Sequence, residues 1–149
     1  TAEDVGTSVR DMEWVRTETP YVTGISEALG GSGDPSPVTA RGVFFGMKAC
    51  IEEIFGTTSL AGMRVAVQGV GHVGYYLCDF LHSEGAQLFI TDIDQEALQA
   101  AAKKFNATIV GPEEIYDVDA AIFAPCAFGA ILNNETIPRF NFKITDSCH

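Results

Sequence analysis

A doubly wound α/β fold built on a parallel sheet is expected for this chain, and three observations carry the expectation. Short runs rich in β-branched residues alternate with segments whose apolar residues recur at three- and four-residue spacing. A glycine-rich string, Gly69-Val70-Gly71-His72-Val73-Gly74, sits where one such run passes into the next helical segment. An aspartate, Asp92, closes the following run, 21 residues beyond Gly71. Strands alternating with helices imply a parallel sheet covered on both faces. The 149 residues are 46% hydrophobic and 19% charged, which supplies a packed core and excludes a disordered chain.

The elements follow in order. Ser8 to Arg16 has Val9, Met12 and Val15 on one side of a short helix, with Asp11-Met12-Glu13 read as a solvated face. The stretch from Gly30 to Pro37 mixes glycines that free the backbone with prolines that stiffen it, and marks the main boundary. Ser36-Pro37 then starts a helix, with Ser36 as N-cap and Pro37 at the first helical position. That helix carries Val43, Met47, Cys50, Ile51 and Ile54, and Gly56 stops it. Arg64 to Gln68 reads as a strand. His72 to Glu84 reads as a helix with Val73, Leu77, Phe80 and Leu81 inward, ended by Gly85. Gln87 to Thr91 is the next strand, and Asp94 to Phe105 a helix facing inward through Leu98, Ala101, Ala102 and Phe105. Thr108 to Val110, Ala121 to Ala124 and Lys143 to Thr145 complete the set of short strands. The boundary divides residues 1–33, the tail of one domain, from 34–149, the start of another.

Charge and cysteine usage remove several function classes. Nine Lys and Arg against 20 Asp and Glu give a net charge of −11, and the cations are scattered, so no basic face is available for nucleic acid or an anionic membrane. No apolar run approaches the roughly 20 residues that span a bilayer, and no secretory leader pattern precedes the first motif. Cys50, Cys78, Cys126 and Cys148 are widely spaced, without the pairing that a zinc site or a disulfide framework needs. No metal is expected. Cys50 and Cys78 fall in helical patterns and read as small core residues, and the usage fits a reducing, cytoplasmic compartment.

The glycine-rich string is weak evidence alone, but here it follows a strand and opens a helix. Gly69 allows the tight turn, Gly71 lets the backbone approach a pyrophosphate, and Gly74 lets helix pack on strand. The helix start offers its unpaired N–H groups and positive dipole end to phosphates. Asp92 stands where a carboxylate accepts hydrogen bonds from an adenosine ribose. The same charge repels a 2′-phosphate, and Ile93-Asp94-Gln95 brings no arginine to offset it, so the cofactor read from these residues is NAD rather than NADP. Asp94 is the better placed of the two acids to cap the next helix.

Other residues admit two readings each. Asp4 is either a solvated acid or a catalytic one. His72 either touches phosphate or is an exposed first-turn residue. Ala124-Pro125-Cys126-Ala127 either borders a ligand at the carboxyl edge of the sheet or is a buried strand end. Trp14 and His82 have no evident partner and read as structural.

Taken in order, the motifs resemble a family. Ala2-Glu3-Asp4-Val5-Gly6-Thr7, Tyr21-Val22-Thr23-Gly24-Ile25, Gly33-Asp34-Pro35-Ser36-Pro37-Val38-Thr39-Ala40, Gly69 to Gly74, Thr91-Asp92-Ile93 and Phe123-Ala124-Pro125-Cys126-Ala127 are similar to the amino-acid dehydrogenases of the glutamate/leucine/phenylalanine/valine superfamily. The resemblance covers nearly the whole chain. Thr1-Ala2-Glu3-Asp4-Val5-Gly6 and Tyr21 to Ser26 favour the branch that acts on leucine, with the phenylalanine or valine branch as the alternative. A non-catalytic NAD-binding module is the alternative of another class.

The resemblance implies a Rossmann-like NAD-binding domain, truncated at its C-terminal side, over 34–149. It implies the end of a substrate domain over 1–33, with a hinge near Gly30 to Asp34. It further implies reversible, NAD-dependent oxidative deamination of branched-chain L-amino acids to 2-oxo acids and ammonia in a homo-oligomer. By the same resemblance, Asp4 assists proton transfer at the substrate amine and Ala2 lines the side-chain pocket. Thr39 contacts the cofactor near the nicotinamide amide. Gly69, Val70, Gly71, His72, Val73, Gly74, Tyr75 and Asp92, with Ala124, Cys126 and Ala127, form the rest of the cofactor site. Two lysines that the family places upstream of the Asp motif are absent. A downstream Ser-Ala-Asn-Asn motif gives way to Asp146-Ser147-Cys148-His149. An internal segment of a longer enzyme, inactive in isolation, is the expectation.

Overall fold

The computed structural model describes residues 1–4 and 6–147; Val5 of the opening motif, and Cys148 and His149, lie outside the described residues. The chain divides into two compact units, residues 1–38 and 39–149.

In the first unit, helix α1 spans Val9–Glu18. Ser8 precedes it, and the Asp11 carboxylate accepts both the Ser8 backbone N–H (2.8 Å) and its hydroxyl (2.6 Å), closing the start of the helix. Met12 is buried, so Asp11-Met12-Glu13 is not wholly a solvated face: the carboxylate points out and the methionine in. Trp14 is 66% exposed. The Thr1 nitrogen donates to the Tyr21 carbonyl and Thr23 N–H donates back to the Thr1 carbonyl, which lays the opening residues along 21–23. Beyond the 3-10 turn Glu27–Leu29 the chain doubles back, with Gly33 N–H donating to Ile25 O. Gly31 is required there: a Cβ would stand 2.0 Å from the Ile25 carbonyl oxygen.

Helix α2 is Ser36–Phe55. It starts one residue earlier than its Ser-Pro signal implies. Ser36 is its first residue, and Asp34 Oδ1 accepts the Ser36 N–H at 2.8 Å, taking the capping role expected of Ser36. The division between the units falls inside its first turn.

The second unit continues through β1 (Arg64–Gln68), α3 (His72–Ser83), β2 (Gln87–Thr91), α4 (Gln95–Phe105), β3 (Thr108–Ile109), β4 (Ile122–Pro125) and β5 (Ile144–Thr145). The five strands are all parallel, in the order β3-β2-β1-β4-β5. The sheet is the doubly wound one expected, and the last three strands are shorter or shifted by a residue relative to their sequence runs. β1 lies at the centre, with Val65, Ala66 and Val67 fully buried. That is why it reads as a continuous apolar run rather than an alternating one.

Side-chain alternation splits the core into two parts. On one face Val65, Val67, Leu88, Ile90, Ile122 and Ala124 join Met47 and Ile51 of α2, Leu77 and Leu81 of α3, and Leu98 and Phe105 of α4. Each such aliphatic side chain, fully buried, contributes about 1.5–3 kcal/mol. The other face holds Ala66 and Phe123 under Ile115 and Tyr116, with Phe140 and Phe142 beside them; the Phe123 and Phe142 rings stack at 5.0 Å. Among the described residues this face is covered by the 3-10 helix Glu114–Asp117, which carries Ile115 and Tyr116, and by the aromatic segment that follows the 3-10 helix Ile137–Arg139.

Two expected core positions are corrected. Cys50 is exposed and Ile54 is 49% exposed. Cys50 precedes buried Ile51 by one residue, about 100° round the helix, and so lies off the Met47–Ile51 stripe. Cys78 is buried as expected.

Candidate functional site

The site is built from the carboxyl ends of β1, β2 and β4. At Gly69 the chain leaves β1 with φ +95°, a conformation that L side chains rarely adopt. Its N–H donates to Thr91 O at 2.8 Å, fastening the turn to the end of β2. A Cβ on Gly69 would stand 2.7 Å from Cys126 O and 2.8 Å from Ala127 N, so the segment leaving β4 packs directly on this glycine. Cys126 N–H donates to Gln68 O at 2.7 Å, which fixes that segment to β1. Gly74, in the first turn of α3, is constrained more tightly: a Cβ would lie 2.0 Å from Gly69 O.

Gly71 differs from both. It is the N-cap of α3, has no side chain to satisfy the helix start, and a Cβ built on it would meet nothing within 4 Å. Open space is therefore left beside the start of α3, whose first N–H groups have no partner within the helix. This is the arrangement that receives an anionic group. A pyrophosphate fits these residues.

Asp92 follows β2 directly and is half-buried. Its Oδ2 accepts the Val70 N–H at 2.6 Å and its Oδ1 accepts the Asp94 N–H at 2.8 Å. A carboxylate has about four acceptor sites, so both oxygens retain capacity for ribose hydroxyls. Asp94 caps α4, accepting from the Glu96 and Ala97 N–H groups, as its position in the sequence indicates.

The structure thus brings Gly69, Val70, Gly71, His72, Val73, Gly74 and Asp92 together with Ala124, Cys126 and Ala127 at one sheet edge. His72 is exposed beside Gly71, Val70 is buried, and Val73 is half-buried against the core. Ala124 is buried within β4 opposite Val67. The Tyr75 side chain serves the α3–α4 contact: its ring packs on Phe105, and its hydroxyl accepts from Lys104 Nζ at 3.0 Å. Thr39 lies half-buried in the first turns of α2. Ala2 and Asp4 belong to the first unit. There the exposed Asp4 is held in a turn, its N–H donating to Thr7 Oγ1 and its carbonyl accepting the Thr7 hydroxyl at 2.7 Å.

Three residues of interest carry no sequence signal. Gln68 donates from Nε2 to the Tyr116 hydroxyl at 2.9 Å, while its Oε1 is buried with no partner among the described residues. It borders a groove of about 330 Å³ shared with Tyr116, Phe128, Asn133 and Arg139. Ile93 is 94% exposed beside Asp92. Asp146 follows β5 with Oδ2 buried and without a hydrogen-bond partner among the described residues, and burial raises its carboxyl above the ordinary range. Gln68 and Asp146 depend on neighbours brought by the sheet, Tyr116 and Gly46, which one-dimensional spacing does not display.

Among the described residues, no helix is long and apolar enough to cross a membrane.

Comparison with known proteins agrees with this geometry. A family model described as Glutamate/Leucine/Phenylalanine/Valine dehydrogenase matches residues 30–97. A leucine dehydrogenase of Thermoactinomyces intermedius is 59% identical over 144 residues, and one of Bacillus cereus is 57% identical over the same length. Each alignment takes in 97% of this chain and 39% of the relative, so the chain spans about two-fifths of their length. The solved structure of L-tryptophan dehydrogenase from Nostoc punctiforme superposes with a TM-score of 0.81 at 41% identity, over 99% of this chain and 41% of that one. In its glycine-rich turn, in the aspartate that follows β2 and along nearly its whole length, the chain is similar to the glutamate/leucine/phenylalanine/valine dehydrogenases.

Proposed function

We propose that this chain is the nucleotide-binding part, with an adjoining piece of the substrate domain, of an NAD-dependent leucine dehydrogenase. The enzyme catalyses reversible oxidative deamination of L-leucine and other branched-chain L-amino acids to 2-oxo acids and ammonia. The carrying observation is the ranking of relatives: leucine dehydrogenases are 59% and 57% identical, against 47% for an L-tryptophan dehydrogenase and 43% for a phenylalanine dehydrogenase.

Bound NAD would supply the hydride acceptor for chemistry at the substrate α-carbon. The chain's own residues do the rest of the work assigned here. The open space at Gly71 and the start of α3 receive the pyrophosphate. Asp92 accepts from the adenosine ribose and, with Asp94 nearby, disfavours a 2′-phosphate. Ile93 offers apolar surface beside the ribose for the adenine. Ala124, Cys126 and Ala127 border the nicotinamide half, and Thr39 contacts its amide. Asp4 assists proton transfer at the substrate amine, and Ala2 lines the substrate's side-chain pocket. The hinge lies at Gly30 to Asp34, where glycines permit rotation. The setting is cytoplasmic, and the enzyme a homo-oligomer.

Two measurements test this. Calorimetric titration of the chain with NAD and NADP is expected to show preference for NAD; equal or tighter NADP binding would overturn the assignment to Asp92. Assay of the protein carrying this chain with NAD and a panel of L-amino acids is expected to rank leucine at least about tenfold above phenylalanine and tryptophan in kcat/KM. Valine and isoleucine should fall closer, since one methylene in an apolar pocket is worth only about 1–3 kcal/mol. A preference for an aromatic substrate would replace the leucine reading.

A further inference from the structure

We propose that Asp92 is a positioning residue for the phosphate-binding turn, as well as the acceptor for ribose. The inference rests on the reading of this turn as the NAD site. Val70 lies between Gly69 and Gly71, and its N–H donates to Asp92 Oδ2 at 2.6 Å. The other oxygen accepts the Asp94 N–H at 2.8 Å, and the Gln95 side-chain amide donates to the Asp92 carbonyl at 3.2 Å. The carboxylate is thus held from one side and itself holds the turn from the other.

Two consequences follow from where the protons point. An N–H aimed at a carboxylate is not aimed at a phosphate, so Val70 is withdrawn from the phosphate donors, leaving them to the start of α3. The bond to Val70 is charge-assisted, and such bonds contribute about twice as much as neutral ones. It therefore shapes the cradle through a bond within the chain, independent of any ribose contact. Loss of Asp92 should weaken ligands that make no ribose contact at all, which an acceptor acting on ribose alone would not do.

The test compares ADP with 2′,3′-dideoxy-ADP, binding each by calorimetry to the unsubstituted chain, to Asp92→Ala and to Asp92→Asn. Asp92→Ala is expected to weaken dideoxy-ADP about tenfold or more, the scale of one lost hydrogen bond to a charged group. Asp92→Asn, which keeps an acceptor for Val70, should restore most of that affinity. Equal dideoxy-ADP binding by the unsubstituted chain and Asp92→Ala, with ADP alone weakened, would overturn the positioning role and leave the ribose role intact. Failure of the unsubstituted chain to bind ADP would instead overturn the nucleotide reading.

Amide hydrogen exchange in the ligand-free chain decides the positioning role either way. The Val70 amide is expected to be protected in the unsubstituted chain and in Asp92→Asn. It should exchange about tenfold faster in Asp92→Ala, with β1 and β4 amides unchanged as the fold control. A Val70 amide that exchanges freely in the unsubstituted chain refutes the proposal without recourse to any variant.

Discussion

Gly69, Gly71 and Gly74 share one turn but answer to different constraints, and substitution separates them. A Cβ at Gly74 meets backbone oxygen at 2.0 Å, so Gly74→Ala forces helix and strand apart. It should destabilise the chain by about 1–3 kcal/mol or more in denaturant melts. Gly71 has open space, so Gly71→Ala should fold with stability within about 1 kcal/mol of the original. Its methyl group would enter the proposed phosphate position and weaken ADP about tenfold or more. If both variants bind ADP normally, the turn is not the phosphate site. The thiols differ in the same residue-by-residue way. Cys78 is buried and its thiol is pushed up to about 12, first by burial and then by the neighbouring Asp79. Cys50 is exposed. A thiol reagent at pH 8 should label Cys50 within minutes, and Cys78 only after unfolding, as read by peptide mass mapping.

At the scale of single elements, helix starts carry much of the local specification. Asp94 caps α4 with two hydrogen bonds, and Asp94→Ala should cost about 1 kcal/mol in thermal or denaturant unfolding. Asp11 plays a related part for α1, and the Ser8 hydroxyl and N–H that it accepts hold its carboxyl below the ordinary range. The aromatic face of the sheet is fastened from outside by Arg139, which pairs with Asp117 at 2.6 Å and Glu113 at 3.0 Å and lies over the Tyr116 ring. Its bond lowers the Asp117 carboxyl as well. These groups are solvent-exposed, so their individual contributions are small. Because the Asp11 and Asp117 carboxyls are depressed, what these two contribute is present near neutrality and fades as pH falls through their lowered values.

For the molecule as a whole, the pH response has an opposing contribution from Asp146. Its carboxyl is raised from an ordinary value of 3.8 by burial, and Gly46 of α2 approaches so closely that a Cβ there would stand 2.7 Å from Oδ2. Below 3.8 both folded and unfolded chains hold this proton. As pH rises through the interval up to the raised value, the unfolded chain has already released it and the folded chain must give up a proton that burial favours. Stability is therefore lost as pH rises through that window. Asp146→Asn should abolish this loss and make the chain more stable than the original at pH 7, as measured by urea unfolding from pH 3.5 to 8. An unchanged profile would show that Asp146 is solvated in solution.

At this scale the division between sequence and structure is also visible. The alternation of strand and helix, the turn at Gly69 to Gly74, the cap at Asp94 and the carboxylate at Asp92 are legible because each is a local pattern. Periodicity, a glycine at a forced conformation and an acid at a strand end act over a few residues, and the chain order displays them directly. What the sheet order decides is different in kind. Placing β4 beside β1 sets Cys126 and Ala127 against Gly69 and gives Gln68 a partner in Tyr116, 48 residues away. It also lays Asp146 against Gly46, and the same packing leaves Cys50 in solvent although its spacing suits a core. Burial and pairing across tens of residues depend on which elements become neighbours, and a hydrophobic pattern records that a side chain can be buried without recording against what.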